Sequence, residues 1–317
     1  MKLKPYSLFI LIALFTLSCK GQTITNKEET KPQKKSIHLF DSDALLERVK
    51  FLSLDSLEGR KTGEKGGLMA RDYVVSQFKK YNVVSLLDKY TQPFSFEGRR
   101  DKKTYKGANV IGVIKGIKQP DKYIVISAHY DHVGIRNGEI YNGADDDASG
   151  TSALFAFAEY FKINPPNHSV VLVAFDAEEL GLRGAAHFLQ ANTLEKENIA
   201  LNINLDMIGR NDNNELYVVG TNLYKQLQPA IEGLKLPENF KLSTGHDGLD
   251  DKQNWTFSSD HGPFHRQEIP FLYFGVEDHK DYHKPTDDYE SIQPEFYIKA
   301  VTTIISVIDK VDTLPLK

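Results

Sequence analysis

The sequence predicts an α/β protein, a three-layer sandwich whose central, mostly parallel mixed sheet carries helices on both faces. Three observations predict it. Apolar runs of strand length alternate with helical stripes from about Leu39 onward. The runs are nearly unbroken rather than alternating, as expected of strands covered on both sides. Three of them end abruptly in ionisable residues: "YIVISA" runs into His129-Tyr130-Asp131, "VVLVAFDA" into Glu178-Glu179, and "LNINL" into Asp206. A core strand gains nothing by such an ending, because burying unpaired carboxylates is costly. In open sheets of this kind ligands gather beyond the carboxyl ends of the strands.

The N-terminus stands apart from that pattern. Lys2 and Lys4 precede an apolar run, Leu8 to Phe15, that closes at Leu17-Ser18-Cys19. A charged start, a short apolar stretch and a small residue read as an export signal over residues 1–18. The run is too short for a comfortable membrane span. Cys19 is the single cysteine, so no internal disulfide can form. The stretch resembles a bacterial lipoprotein signal, in which that cysteine is lipidated, although Thr16 stands where leucine is usual. Simple secretion stays open. Residues 19–40 are polar and charged and read as a disordered tether, leaving 41–317 as the folded domain. The expected location is the periplasm or the cell surface, with contact to the membrane only through Cys19.

Composition narrows the function. The chain has 317 residues, 40% hydrophobic and 26% charged. A chain of this size buries roughly three quarters of its unfolded surface and needs no metal to fold, so a metal site here would serve chemistry. The formal net charge is −4, and loss of Lys2 and Lys4 with the signal would make it −6. Nucleic acid is therefore a poor partner.

The elements follow in order. "DALLERVKFLSLD" sets Leu45, Leu46, Val49 and Leu52 on one helical stripe, and "GLMARDYVVSQFKKY" does so with Met69, Tyr73, Val74 and Phe78. "NVIGVIK" and "YIVISA" are rich in β-branched residues and read as strands. Thr151 to Phe161 is helical, with Ala153, Leu154, Phe157, Ala158 and Phe161 on one side. "SVVLVAFDAEE", "IALNINLDMIG", "ELYVVG" and "IPFLYFGV" are further strands, and a helix from about Pro294 to Val311 closes the chain.

The chemistry-bearing residues fall between these elements. "YNGADDDASG" crowds Asp145, Asp146 and Asp147 between glycines. An acidic turn is one reading of it; a bound cation that offsets the repulsion is the other. His129 and Asp131, two apart on an extended backbone, would face the same way, so Asp131 could accept the second N–H of a metal-binding His129. Glu178 and Glu179 are adjacent and cannot point together, so one could bind metal while the other acts as a general base. They also suit the first turn of a helix. Asp206 and His283, each taken alone, read as a turn residue and a surface histidine.

Together, "AHYDHVG", "YNGADDDASG", "FDAEELGLRGAAHFL", "NLDMIGR", "SDHGPF" and "YHKPTDD" resemble the dizinc exopeptidase family, which includes secreted bacterial aminopeptidases, glutamate carboxypeptidases and glutaminyl cyclases. The resemblance covers residues from about 41 to 317, with "LDSLEGRKTGEKG" matching its N-terminal segment. It implies two zinc ions bridged by Asp146, one also held by His129 and Asp206 and the other by Glu179 and His283. It implies a cis peptide between Asp146 and Asp147. Zinc takes such N and O donors and keeps an open position in catalytic sites, whereas calcium prefers oxygen alone. Glu178 is the implied general base. Asp131, from the spacing above, is counted with the catalytic residues as the support of His129, and Asp260 is assigned to substrate positioning. Tyr141, Trp255 and Tyr282 are candidates for a specificity pocket. The expected activity is hydrolysis of N-terminal residues from peptides. Glutamate carboxypeptidases carry large extra domains for which this chain has little room. A glutaminyl cyclase, or a binding protein on the same fold, are the alternatives. Oligomeric state and residue preference are not legible.

Overall fold

Asp41 caps the first helix, α1 (Ser42–Leu52), by accepting the Ala44 N–H at 3.0 Å. The structure, a computed structural model, describes Met1, residues 39–99 and residues 101–316. Residues 2–38, with Cys19 and nearly all of the export signal and tether, lie outside the described residues; Leu39 and Phe40, expected as the end of the tether, pack into the core instead. A short helical turn at Asp55–Arg60 leads into α2 (Lys65–Lys80). Met69 was expected on the inner stripe of α2 but is exposed; the buried stripe runs through Gly66, Gly67, Ala70, Val74 and Phe78. The cause is close backbone approach. A Cβ on Gly66 would collide with the Leu57 carbonyl, so the glycine lets α2 lie against the turn before it, and that contact sets which side faces inward.

The remaining elements are β1 (Val84–Ser85), β2 (Thr91–Glu97), β3 (Thr104–Ile114), β4 (Gln119–His129), β5 (Gly134–Arg136), β6 (Glu139–Tyr141), α3 (Gly150–Ile163), β7 (His168–Phe175), α4 (Arg183–Gln190), β8 (Ile199–Leu205), β9 (Glu215–Val219), β10 (Lys241–Thr244), α5 (His261–Arg266), β11 (Phe271–Gly275) and α6 (Pro294–Val311). One nine-stranded sheet has the order β1-β3-β7-β4-β8-β11-β9-β10, with β2 also paired to β3. The four inner strands β7, β4, β8 and β11 are mutually parallel, while β3 and β9 flank them antiparallel. The sheet is therefore mixed, with a parallel centre, as the unbroken apolar runs predict. β5 and β6 form a separate hairpin.

Alternation along the strands builds two cores. Ile124, Ile126 and Ala128 of β4 join residues of α1, α2, α3 and α6. Val125 faces the other way, with Val171, Val173 and Phe175 of β7, Phe188 of α4 and Phe264 of α5. This is the three-layer arrangement. α3 is buried nearly all round rather than on one side, because other helices cover the face it turns from the sheet. Among the described residues no helix is long and apolar enough to cross a membrane.

Candidate metal centre

Four parallel strands end at one edge of the sheet, and each delivers chemistry there. β4 ends at His129; β7 passes through Asp176 and Ala177 to Glu178 and Glu179; β8 runs into Asp206; the loop after β11 carries His279 and His283. The fourth strand escapes sequence reasoning because its ionisable residues follow several positions after it. The acidic triplet enters the same edge in the irregular turn between the β5–β6 hairpin and α3, and its Asp146–Asp147 peptide is cis.

These groups converge on two adjoining pockets. His129 Nε2 lies 3.1 Å from Asp146 Oδ1 and 3.5 Å from Asp206 Oδ1. His283 Nε2 lies 3.1 Å from Asp146 Oδ2 and 3.3 Å from Glu179 Oε1. Asp146 therefore presents one oxygen to each pocket. His132, which sequence reasoning passed over among the other histidines, is buried here, with Nδ1 2.8 Å from Glu179 Oε1. The pockets fit a cation. His129 Nε2 and Glu179 Oε1 are buried without a hydrogen-bond partner, an arrangement that is costly unless something else occupies the space between them. Nitrogen and carboxylate donors of this kind suit zinc.

The flanking aspartates do different work. Asp147 Oδ2 accepts the His129 main-chain N–H at 3.1 Å, and its Oδ1 accepts from Gly150 at 2.9 Å and Met207 at 3.3 Å. Asp145 accepts from Gly209 at 2.6 Å and lies 3.0 Å from His279 Nε2. Both carboxylates thus tie the triplet to the ends of neighbouring elements, and only Asp146 faces the pockets. Asp287 supports the turn from outside, accepting the N–H groups of Asp145 and Asp146 at 3.0 and 3.1 Å.

Arg60 fastens the whole edge. It is fully buried and donates to the carbonyls of Leu52, Tyr130 and Gly143 at 2.8 Å each, to Asn142, and at 3.4 Å to Asp146. A guanidinium, with five donors in a rigid fork, is suited to such a hub. Gly143 adopts a positive φ beside it, where a Cβ would strike the Asp146 carbonyl and the His132 ring.

Asp131 requires a correction. Its carboxylate is not the partner of His129: Nδ1 lies 3.0 Å from the Asp131 main-chain carbonyl, while Oδ1 stands 3.8 Å away. The side chain turns instead to the Glu178 N–H, at 3.0 Å, and to the Thr62 hydroxyl, at 3.2 Å. The extended geometry assumed from spacing does not persist past His129, where β4 ends. Asp131 therefore holds the loop that carries Glu178.

Charge follows the same layout. Burial works against the Asp146 carboxylate, but His132, His129 and His283 hold it well below the usual range. Burial and Asp146 oppose ionisation of Glu179, yet His132 and His283 bring it down to about 2. Burial opposes the charge on His283, which Asp146 and Glu179 nevertheless raise to about 10. Glu178 goes the other way: burial first, then the nearby carboxylates Asp206, Asp260 and Glu179, push it well above the ordinary range against the pull of His129.

A cleft of about 260 Å³ opens onto the pockets. Asp146, Glu178, Asp206 and His283 form its floor, and Met207, Trp255, Tyr273, Val276 and Tyr282 line its walls, with Asp278 beside them. Tyr282 stacks on His283 with ring centroids 4.0 Å apart. Tyr141 lies outside the cleft, in β6 near Arg136. Asp260 is also corrected: it is fully buried just before α5 and does not line the cleft, so it cannot touch a substrate there directly. Neither of its oxygens has a hydrogen-bond partner, and burial raises it to about 7.

Known proteins resemble this chain in sequence and in fold. The model of peptidase family M28 matches residues 109–308. The aminopeptidase YwaD of Bacillus subtilis is 34% identical over 198 residues, which make up 59% of this chain and 41% of YwaD; the chain thus spans less than half that relative's length. BSAP, a zinc aminopeptidase of Bacillus subtilis, superposes with a TM-score of 0.65 at 18% identity, over 84% of this chain and 95% of its own. Glutaminyl cyclase from Porphyromonas gingivalis does so with a TM-score of 0.68 at 17% identity, over 86% and 99%. At such identities the two structures share the fold.

Proposed function

Since the chain belongs to peptidase family M28, we propose that it is a zinc-dependent aminopeptidase, in which His129, Asp146 and Asp206 would hold one ion and Asp146, Glu179 and His283 a second. The observation that carries this reading is the pair of pockets sharing the two Asp146 oxygens, with Glu178 on the cleft floor beside them. Zinc bound there would supply a water made more acidic and a Lewis acid for the scissile carbonyl. Glu178, on the cleft floor with its carboxyl pushed above the ordinary range by burial, is placed to accept a proton from an attacking water and to return it to the departing amine. Asp131 fixes the Glu178 main chain.

The cleft suits a free amine. Among the described residues its lining includes Asp146, Glu178, Asp206 and Asp278 and neither lysine nor arginine. A protonated α-amine is attracted to such a surface. YwaD and BSAP, both named as aminopeptidases, support the same reading. Glutaminyl cyclase is the second reading, on the strength of the shared fold. The signal at residues 1–18 supports an exported enzyme, anchored through Cys19 or released.

Aminoacyl-4-nitroanilides, N-blocked peptides and glutaminyl peptides, each assayed with and without a chelator, test the reading. Free-amine substrates should be hydrolysed only when metal is present, and Glu178→Gln should keep zinc but lose most turnover. Equal cleavage of N-blocked peptides would defeat the aminopeptidase reading, and cyclisation of N-terminal glutamine without hydrolysis would establish the other.

A further inference from the structure

Two histidines face the same pair of carboxylate oxygens. His283 Nε2 lies 3.3 Å from Glu179 Oε1 and 3.1 Å from Asp146 Oδ2; His132 Nδ1 lies 2.8 Å and 3.8 Å from those same atoms. The His132 ring is buried, and neither of its nitrogens has a hydrogen-bond partner. Its approach to Glu179 is close but lacks the alignment of a hydrogen bond. His129 Nε2 shows the same signature in the other pocket: it is buried and unpartnered, with carboxylate oxygens at 3.1 and 3.5 Å. Close donors that do not point at one another are arranged to point at a shared third body.

We propose that His132 is a further ligand of the cation held by Asp146 and Glu179, which makes the two metal positions unequal. That position then has four protein donors, Asp146, Glu179, His132 and His283. The neighbouring one has three, His129, Asp146 and Asp206. Four donors fill zinc's preferred coordination and characterise closed, tightly held sites, whereas three leave a position for water or substrate. The His129 position is thereby the exchangeable one that meets the substrate, and the Glu179 position is the anchor. The His283 side chain is 38% exposed whereas that of His132 is 0% exposed, so the buried histidine secures the ion if the exposed one moves away. The inference rests on the dizinc reading above.

Zinc affinities measured by competition with a chromogenic chelator test it, together with the visible absorption of the cobalt-substituted protein. His132→Asn keeps a polar side chain beside Glu179 but is a poor zinc ligand; His132→Gln serves as the second variant if the first fails to fold. Melting of the zinc-free proteins checks folding. The parent should bind two ions with unequal affinity. Each variant should weaken the tighter one by about 100-fold or more, beyond the roughly 10–100-fold cost of losing an outer partner, and should change the cobalt spectrum. A smaller loss, or an unchanged spectrum, overturns the ligand role. A parent that binds fewer than two ions refutes the dizinc reading separately, and the variants still report on whether His132 holds the ion that remains.

Discussion

Replacing Asp260 by asparagine should stabilise the zinc-free protein, and by an amount that grows with pH. The Asp260 carboxyl is fully buried, its oxygens are unpartnered, and burial lifts its pKa from 3.8 to about 7. The folded state thus holds this proton more tightly than the unfolded chain does. Below about pH 4 both states are protonated and the ionisation penalty is absent. Between about pH 4 and pH 7 the unfolded chain ionises while the fold does not, and stability falls by ~1.4 kcal/mol per pH unit. Above about pH 7 the penalty levels off near 4 kcal/mol, about three such units. Asparagine is neutral throughout and removes the penalty. Urea unfolding with chelator present should therefore show Asp260→Asn ahead by roughly 2 kcal/mol at about pH 5.5 and by roughly 4 kcal/mol at about pH 8.5. Zinc should shrink the gain, because nearby cations offset the Asp260 charge. A pH-independent difference, or a variant less stable than the parent at the higher pH, would show that Asp260 is not a buried, unpaired acid. A stability gain alongside lost turnover would mark a residue kept for function at the expense of the fold.

Two further outcomes follow from the geometry. Arg60→Met should cost about 4 kcal/mol, because it takes the guanidinium donor from the buried carbonyls of Leu52, Tyr130 and Asn142; calorimetry should show a melting point lowered by roughly 10 °C, and a shift within the error of the scan would rule out the hub. Zinc uptake should release protons. His283, raised to about 10 in the ion-free protein, is charged at neutral pH and must lose its proton to bind a metal. Affinity should therefore fall as pH drops below that value, and zinc titrations in buffers of different ionisation enthalpy should report about one proton or more per ion at that position. Heats that do not depend on the buffer would contradict this.

Much of the site was legible because its signal is local. An apolar strand that ends in a histidine or an acid is a short-range pattern, and three such endings located His129, Glu178-Glu179 and Asp206 at one edge of the sheet. Asp146 and His283 have no such signal; the ordered motifs of the family pointed to them. His132 was visible as a letter and invisible as a participant, because nothing in "AHYDHVG" says which of its side chains turn inward.

The sequence alone determined the layering, the parallel centre and the edge where the chemistry gathers, since period and strand composition suffice for these. Tertiary structure decided the direction of each side chain and the partner it meets. Arg60 reaches carbonyls 8 to 86 residues away, and Asp287 binds N–H groups 141 and 142 residues away. Asp131 turns from His129 to Glu178, 47 residues on, because the chain leaves its extended path where β4 ends. Such contacts depend on the backbone angles of loops and on which loops the sheet order makes neighbours, and neither is written in the spacing of residues along one segment.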